Sequence, residues 1–312
     1  MECGISVIVP TYNEENYIGR SIQSILNELK NVDIPYEVIV VDNLSSDSTA
    51  SIIGAYPVTH LTCHQKGSPS ATRNLGAEKA RYEILCFIDG DCLVTPNWFQ
   101  QVITALKDPK IGAYGGPALS PEDGNWIETT WAPTAIKSFL IHKSALPGAN
   151  FSLSNALFKQ IQGFNTELTT AEDDDLANRI IRLGLDVISD SDHPVIHLGY
   201  PKTLLEILKK QIWHGSSQLK AHGLFGDKMV ILTIVWLLAV LGIFIMGLFS
   251  CILFYVSVFF SLLCPFVVAK KRIFNFKKVD AFTLFKSYII SLFFLAGRSI
   301  GLSTEVFGKL RR

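Results

Sequence analysis

Two carboxylates stand at the end of an apolar run in residues 84–94, which read ILCFIDGDCLV. Asp89 and Asp91 are separated by a single glycine, Gly90. A carboxylate at the end of a buried strand is costly unless a partner neutralises it. Oxygen ligands of this kind suit Mg²⁺ or Mn²⁺, which share their coordination with phosphates. The pattern therefore indicates a metal site for a phosphorylated ligand, with an acidic surface turn as the alternative.

A second group of acids, EDDD at residues 172–175, precedes an apolar repeat at Leu176, Ala177 and Ile180. This spacing predicts a helix whose first turn is acidic. Acids in a first turn interact well with the helix dipole and need no chemical role. One of them could instead accept a proton as a general base. The residues alone leave both interpretations open.

Short apolar runs at residues 5–10, 36–42 and 83–89 predict strands of a parallel sheet that is covered on both faces. Helical spacing predicts helices near residues 18–29 and 71–81, and Thr95-Pro96 predicts the N-cap of another. This alternation indicates an α/β fold with a mainly parallel mixed sheet. Ligands bind beyond the carboxyl ends of such strands. We therefore expect the polar clusters that follow the strands to converge at one edge.

Composition excludes several classes of protein. The chain of 312 residues has 28 basic and 28 acidic residues, which argues against a nucleic-acid-binding protein. It contains neither a P-loop nor a G-x-G-x-x-G fingerprint, which argues against a Walker-type ATPase or a dinucleotide enzyme. Its six cysteines lack paired metal-ligand spacing, and we interpret them as reduced thiols.

The C-terminal part of the chain is strongly apolar. Residues 229–269 contain no charged residue, which is enough for two helices across a hydrocarbon core of ~30 Å, with a turn near residues 247–250. The positive-inside rule places both flanks in the cytosol. A third apolar segment, residues 282–302, contains Lys286 and Arg298. It favours an amphipathic helix at the membrane interface over a third span. The basic residues of the two flanks are Lys220, Lys228, Lys270, Lys271, Arg272, Lys277 and Lys278.

Five stretches occur in order: VIVPTYNEENYIGRSIQSIL, EVIVVDNLSSDST, GSPSATRNLGAEKA, FIDGDC and AEDDDLANRIIRLG. Together, over residues 4–225, they resemble the inverting glycosyltransferases of family 2, which have the GT-A (nucleotide-diphospho-sugar transferase) fold. The resemblance implies a cytosolic GT-A domain at residues 1–225 and a transmembrane hairpin at residues 226–269. A basic loop with an amphipathic or third membrane helix follows at residues 270–312. The expected location is the cell membrane, multi-pass, with the catalytic domain on the cytoplasmic face.

The resemblance also implies roles for individual residues. Asp173 would be the general base, with Glu172 as its neighbour. Asp91 would be the main ligand of Mn²⁺ or Mg²⁺, helped by Asp89 and His197, although a core position is an equal alternative for His197. Asn43 stands where many members have a second aspartate, so the nucleotide stays open. The implied donor-binding residues are Pro10, Thr11, Tyr12, Glu14, Asp42, Asn43, Arg73, Asp89, Gly90 and Asn150.

The implied activity is transfer of a single sugar, with inversion, from a nucleotide-diphospho-sugar to a lipid-linked or surface-polysaccharide acceptor. Processive members carry Gln-x-x-Arg-Trp after the base helix, whereas this chain has Gln211 without the Arg-Trp pair. A processive polysaccharide synthase is therefore the first alternative. A non-catalytic scaffold of a polysaccharide assembly complex is the second, and a membrane-tethered nucleotidyltransferase is the third. The expected partners are the sugar donor, the acceptor and membrane lipids, without nucleic acid.

Overall fold

The computed structural model of the protein describes residues 2–65, 68–137, 140–141, 148–168, 172–216, 228–246 and 250–310. The chain divides into two compact units. The first unit contains Met1–Pro121 and Lys137–Gly199, and the second contains Glu122–Ile136 and Tyr200–Arg312. The predicted boundary at residue 225 lies outside the described residues and stays a prediction.

All the described strands belong to the first unit. They are β1 (Glu2–Thr11), β2 (Tyr36–Asp42), β3 (Thr59–Thr62), β4 (Tyr82–Ile88), β5 (Cys92–Val94), β6 (Ile111–Gly115), β7 (Ala118–Leu119), β8 (Leu140–Ile141), β9 (Asn150–Ser154), β10 (Asp186–Asp190) and β11 (Val195–His197). The helices of this unit are α1 (Ile18–Leu29), α2 (Thr49–Ile53), α3 (Pro69–Lys79), α4 (Trp98–Ala105), α6 (Asn155–Gln160) and α7 (Glu172–Arg182).

Within the described residues the larger sheet has the strand order β3-β2-β1-β4-β9-β6-β10-β8. Strands β3, β2, β1 and β4 run parallel, as do β6 and β10, whereas β9 is antiparallel to both of its neighbours. A smaller sheet has the order β5-β11-β7. This is the predicted α/β fold with a mainly parallel mixed sheet.

The core lies on both faces of the larger sheet, because successive side chains of a strand point to opposite faces. Val38 and Val40 of β2 pack in the same cluster as the buried face of α1. Ile39 and Val41 pack on the other face with Ala71 of α3. Each fully buried aliphatic side chain contributes about 1.5–3 kcal/mol to the free energy of folding. Coverage of both faces explains why the strands read as continuous apolar runs.

The prediction that Thr95 caps a helix is wrong. Helix α4 begins at Trp98, and its N-cap is Asn97, which has a left-handed φ of 62°. The Thr95 hydroxyl donates to the carbonyl of Pro194 at 2.8 Å instead. The Thr95 side chain therefore makes a hydrogen bond to a distant segment of the chain instead of capping α4.

The second unit is helical in its described part. Its helices are α5 (Trp126–Trp131), α8 (Leu204–Gly215), α9 (Lys228–Met246), α10 (Cys251–Ile273) and α11 (Ala281–Leu310). Helices α9 and α10 pack antiparallel: Trp236 Nε1–H donates to the carbonyl of Ser261 at 3.1 Å, and Gly242 lies against Ser257. In the described residues, α9, α10 and α11 are long and apolar enough to cross a membrane.

Two polar side chains of α11 contact neighbouring helices. Arg298 donates through Nε to Gln211 of α8 at 2.9 Å, and Ser287 donates to the carbonyl of Ala269 in α10 at 3.2 Å. Gly301 allows the close approach of α8, because a Cβ there would overlap the carbonyl of Ile212. The polar stripe of residues 282–302 is therefore covered by α8 and α10.

Candidate functional site

The ends of β1, β2 and β4 meet at one edge of the sheet, as the sequence predicts. The backbone N–H of Asn43 donates to the carbonyl of Thr11 at 2.9 Å, and that of Gly90 donates to the carbonyl of Pro10 at 3.2 Å. At Gly90 a Cβ would lie 3.1 Å from the Thr11 side chain, so glycine permits this close approach. Three polar clusters that are distant in sequence thus form one site edge.

The loop after β1 interlocks with the loop after β2. Asn13 adopts a left-handed φ of 55°, which asparagine tolerates better than most residues. Its side-chain oxygen accepts from the Ser46 N–H at 2.8 Å. The Glu14 N–H donates to the Thr49 hydroxyl at 2.8 Å. Tyr12, which directly precedes Asn13, is 47% exposed and faces solvent beside the site. Hydrogen bonds within the chain therefore hold the two loops together and leave an aromatic ring accessible.

Asp42 and Asn43, at the end of β2, are both buried. The Asp42 carboxylate accepts from the backbone N–H and the hydroxyl of Ser45, the latter at 2.5 Å. The Asn43 amide donates through Nδ2 to the carbonyls of Cys63 at 3.1 Å and Gln65 at 2.9 Å. An aspartate could not make these two bonds, which gives a physical reason for asparagine at this position.

Arg73 is buried within the site. It lies on α3, whose N-cap Ser68 accepts from the Ala71 N–H at 3.1 Å. Its guanidinium donates to Asp89 at 2.7 Å and to Glu172 at 2.9 Å. Arg73 therefore connects the end of β4 to the first turn of α7, two segments that the sequence separates widely.

The carboxylates around Arg73 outnumber it. Burial raises the pKa of Asp89, with Asp91 adding to the rise and Arg73 opposing it. Burial also raises the pKa of Glu172, again against the opposing effect of Arg73. The site thus holds more negative charge than one guanidinium balances, which is a composition that attracts a cation.

Gly148 positions Asp173. Its carbonyl accepts from Arg73 Nη2 at 3.3 Å, and its N–H donates to Asp173 Oδ2 at 2.8 Å. A Cβ at Gly148 would lie 3.3 Å from that oxygen and 3.4 Å from Arg73 Nη2. One peptide therefore holds the half-buried carboxylate of Asp173 beside the Arg73 ion pairs.

The other acids of this turn have structural partners. Glu172 pairs with Arg73, and Asp175 pairs with Arg179 at 2.8 Å, four residues along α7. The helix dipole and these ion pairs are enough to explain the presence of Glu172 and Asp175 in the first turn. It does not explain why Asp173 is held by Gly148 at the site edge.

Asp91 and His197 meet because β11 pairs antiparallel with β5, which places His197 opposite Cys92. His197 Nε2 lies 3.5 Å from Asp91 Oδ2, and both side chains are mostly buried. Asp91, Cys92 and His197 bring three possible ligand atoms within 4.8 Å of one another. A Cβ at Gly199 would overlap Asp91 Oδ2, so only glycine leaves room for this carboxylate.

The donor set fits Mn²⁺ or Mg²⁺ better than a soft metal. Burial raises the pKa of the Cys92 thiol well above its usual range, and Asp91 and Asp89 raise it further. Mg²⁺ and Mn²⁺ favour oxygen donors, whereas thiolates select softer metals, so the thiol is the least suited of the three donors. The remaining donors are one carboxylate and one imidazole, a combination found with Mn²⁺. Asp89 is ion-paired with Arg73, and its role as a metal ligand stays a prediction.

The sequence model described as Glycosyl transferase family 2 matches residues 6–165. The chain belongs to this family. Glycosyltransferase AglE of Haloferax volcanii is 27% identical over 229 residues, which are 69% of this chain and 73% of that protein. The poly(ribitol-phosphate) beta-N-acetylglucosaminyltransferase TarS of Staphylococcus aureus is 39% identical over 95 residues, which are 28% of this chain and 16% of TarS.

Solved structures share the fold. Mannosyltransferase PcManGT from Pyrobaculum calidifontis, in complex with GDP-Man and Mn²⁺, superposes with a TM-score of 0.57 at 20% identity, over 98% of this chain and 87% of that chain. TarS 1–349 superposes with a TM-score of 0.50 at 16% identity, over 98% of this chain and 92% of that chain. The chain therefore has the GT-A fold.

One candidate residue of the glycosyltransferase, Asn150, pairs with Ile88 at the end of β4 but turns its side chain into the protein interior. The side chain of Asn150 is fully buried, and its amide donates to the carbonyls of His193 at 2.9 Å and Gly116 at 3.3 Å. The close approach that Gly115 and Gly116 permit is likewise to backbone, since added Cβ atoms would overlap the carbonyls of Asn150 and His193. Asn150, Gly115 and Gly116 therefore hold neighbouring backbone segments together at this edge of the sheet.

Sequence reasoning missed two features of the glycosyltransferase site. The first is Cys92, which directly follows Asp91 in the sequence. Its position opposite His197 depends on the pairing of β5 with β11, which the sequence does not reveal. Gly148 is not among the implied donor-binding residues, yet it links Arg73 to Asp173. No local signal in the sequence reveals that link.

Replacing Asn43 of the glycosyltransferase by aspartate should lower the free energy of unfolding by about 1–3 kcal/mol, because the buried carbonyl of Cys63 and the partly buried carbonyl of Gln65 lose their donor. Thermal unfolding of the purified protein measures this loss. Asn27→Asp, on the exposed face of α1, is the control, and a surface change of this kind stays within about 0.5 kcal/mol. Equal effects of the two changes would contradict a structural role for the Asn43 amide.

Replacing Asp91 or His197 by alanine should weaken Mn²⁺ binding at least about tenfold, since even changes behind the ligands cost about 10–100-fold. Cys92→Ala should change the affinity less than about threefold, because Mn²⁺ favours oxygen donors over sulfur. Electron paramagnetic resonance of free Mn²⁺ measures binding without relying on activity. A large loss in Cys92→Ala would show that the sulfur coordinates the metal.

Proposed function

We propose that the protein transfers a single sugar from a nucleotide-diphospho-sugar to an acceptor hydroxyl, with inversion at the anomeric carbon. The observation that carries this proposal is the arrangement around Arg73. It joins Asp89, at the donor edge of the sheet, to Glu172, and Gly148 holds Asp173 beside it. The proposed donor edge and the proposed acceptor base would thus be parts of one hydrogen-bonded arrangement.

In the proposed reaction Asp173 accepts the proton of the acceptor hydroxyl. The acceptor oxygen forms a bond to the anomeric carbon from one face while the bond to the diphosphate oxygen breaks on the other. One base and one displacement suffice, in contrast to retaining glycosidases, whose two close carboxylates form a covalent intermediate. Positioning and electrostatic stabilisation provide most of the rate.

The donor would lie along the edge formed by β1, β2 and β4. Tyr12 and Asp42 are proposed to contact the base, with Pro10, Thr11 and Glu14 lining the pocket. Arg73 and Gly90 would lie near the ribose or the diphosphate, and Asn150 supports this edge through backbone carbonyls. Asp91 and His197, with Asp89, are proposed to hold Mn²⁺ or Mg²⁺, which when bound neutralises the charge of the departing nucleoside diphosphate.

We propose that α9 and α10 form a membrane hairpin within residues 226–269 and that residues 1–225 act at the cytoplasmic face. The antiparallel packing of α9 and α10 and the basic residues on both flanks support this proposal.

Helix α11 is proposed to lie at the interface rather than to span. Ile290 packs in a buried cluster with Ile127 of α5 and Ile207 of α8. Helix α8 also carries Glu206, Lys209 and Lys210, and charged groups are expensive at the bilayer centre. A helix covered by such a neighbour suits the headgroup region.

The acceptor is proposed to be amphiphilic, such as a sugar linked to a polyprenyl phosphate or diphosphate, because the proposed hairpin would attach the protein to the membrane. Efficient transfer to short water-soluble sugars, without transfer to lipid-linked ones, would contradict this part of the proposal.

A nucleotide-release assay on the detergent-solubilised protein tests the activity. UDP-, GDP- and dTDP-sugars are compared with Mn²⁺, Mg²⁺ or EDTA, with and without extracted membrane lipid. We expect release from one donor that requires both metal and lipid. Long polymeric products would favour a processive synthase. Absence of both release and donor binding would favour a non-catalytic scaffold.

A further inference from the structure

A cavity of about 410 Å³ lies within the second unit, apart from the residues of the proposed reaction. Its polar lining comes from two segments of the chain. One is the stretch around the end of α5, and the other connects α10 to α11 and continues into the first turns of α11. The polar residues that the argument uses are Thr130, Thr134, Lys277, Lys278 and Lys286. Thr129 also lines the cavity, but its hydroxyl donates to the carbonyl of Asn125 at 3.0 Å.

Backbone contacts hold the two walls of the cavity together. Ile136 pairs with Phe276 in an antiparallel bridge, and the N–H of Lys277 donates to the carbonyl of Ala135 at 3.3 Å. Phe276 is buried, which fixes the connecting segment in place. A capping box formed by Asn125 and Glu128 caps the N-terminus of α5. The hydroxyl and ammonium groups therefore line a cavity with defined walls.

The charge of the lining is strongly positive. Three lysines face the cavity, and its described lining residues include no acid. The nearby Asp280 caps α11 by accepting from the N–H and the hydroxyl of Thr283 at 2.6 and 2.7 Å. Arg272 adds another cation behind Thr130, because it donates to the carbonyl of Trp131 at 3.3 Å. Clustered cations repel one another, and a bound anion removes this repulsion.

The combination of lysines with threonine hydroxyls points to a particular anion. Ammonium groups bind phosphate as point charges, and hydroxyls donate hydrogen bonds to its remaining oxygens. A phosphate has enough acceptor oxygens to satisfy several of these donors together. The cavity is also large enough to admit the group to which the phosphate is attached.

The position of the cavity along the chain indicates where the phosphate comes from. The connecting segment follows directly after α10, which ends at Ile273, and precedes α11, which begins at Ala281. The end of a membrane-crossing helix lies at the level of lipid headgroups. Lysines next to such an end commonly contact anionic lipids. This step rests on the membrane attachment in the proposed function.

We propose that this cavity binds the phosphate group of a membrane lipid, held by Lys277, Lys278 and Lys286 with the hydroxyls of Thr130 and Thr134. A lipid held here would be fixed beside the helices that tether the protein. A free phosphate shares the same chemistry, and a diffuse attraction of the basic segment to an anionic surface is the competing explanation.

Binding of farnesyl phosphate to the full chain tests the proposal. The protein is kept in dodecyl maltoside, a detergent without phosphate, and binding is measured by thermophoresis. Farnesyl phosphate should bind, and farnesol should bind at least about tenfold more weakly. Inorganic phosphate binding as tightly as farnesyl phosphate would assign the site to a soluble ligand and overturn the lipid assignment. Failure of farnesyl phosphate to bind would overturn the whole proposal.

Two charge-matched variants separate a defined site from diffuse attraction. Lys277→Gln/Lys286→Gln removes two lysines of the cavity and should weaken binding of farnesyl phosphate at least about tenfold. Lys270→Gln/Lys271→Gln removes the same charge from the last turns of α10, outside the cavity lining, and should change binding less than about threefold. Equal losses in both variants would establish diffuse attraction and overturn the site.

The threonine hydroxyls and the donor site provide independent readouts. Thr134→Val removes an exposed hydroxyl of the lining and should weaken farnesyl phosphate binding about threefold; no change would remove Thr134 from the site. Donor binding should be unchanged in all these variants. Lipid binding without nucleotide release from any donor would contradict the proposed function while leaving this site in place.

Discussion

Replacing Asp173 by asparagine should lower kcat by roughly a thousandfold, while the Kd of the nucleotide-sugar stays within about threefold, because general-base catalysis contributes about 10²–10⁴-fold. The asparagine keeps the shape of the side chain and can still accept from the N–H of Gly148, so the local backbone is retained. What it cannot do is accept the proton of the acceptor hydroxyl. Initial rates of nucleotide release and equilibrium donor binding measure the two quantities separately.

The control for this prediction is the next acid in the same turn. Asp174→Asn removes the same charge one residue along α7, and it should change kcat less than about threefold. Comparable losses in both variants would mean that the negative charge of the turn matters, rather than the base. A parallel loss of donor binding in Asp173→Asn would assign the residue to the donor pocket.

Replacing Arg73 by methionine should lower the free energy of unfolding by about 3–5 kcal/mol, the range for removing one partner of a buried ion pair. The change leaves Asp89 and Glu172 without the guanidinium that binds both of them. Transfer should also be lost, because Gly148 and Asp173 lose their fixed neighbour. Thermal unfolding in detergent measures the change in stability.

The stability loss in Arg73→Met should depend on pH. Burial raises the pKa of Asp89 and of Glu172 even in the presence of Arg73, so both groups favour the protonated form in the folded protein more than in the unfolded chain. Removing Arg73 raises these pKa values further. The cost is therefore largest when both groups are ionised, and it should be smaller at pH 5 than at pH 8. A loss independent of pH would point to lost packing instead.

Two further variants test the ion pair itself. Adding Glu172→Gln to Arg73→Met should recover part of the loss, with a coupling of about 0.5–3 kcal/mol for residues in direct contact. Arg81→Met breaks the pair with Glu37, in which the Arg81 side chain is 66% exposed. It should cost less than about 1 kcal/mol, as exposed pairs do. Additive effects of Arg73→Met and Glu172→Gln would contradict a shared ion pair.

The sequence by itself determined the secondary structure around the site. The apolar runs of β1, β2 and β4 and the helical spacing of α1 are local patterns, and each element buries the residues that the pattern indicates. Because parallel strands end at the same edge, the convergence of Thr11, Asp42 and Asp89 also followed from these patterns. The three apolar helices of the second unit followed from composition alone.

Only the tertiary structure decided which partners the site residues have. Arg73 meets Glu172 across 99 positions of sequence, and Lys277 meets Ala135 across a still longer separation. Asn150 turns its amide toward backbone carbonyls, and Thr95 binds Pro194 rather than capping α4. The physical reason is the same in each case. A polar group that becomes buried must find a hydrogen-bond partner, and that partner is chosen by the packing of distant segments, which no local pattern encodes.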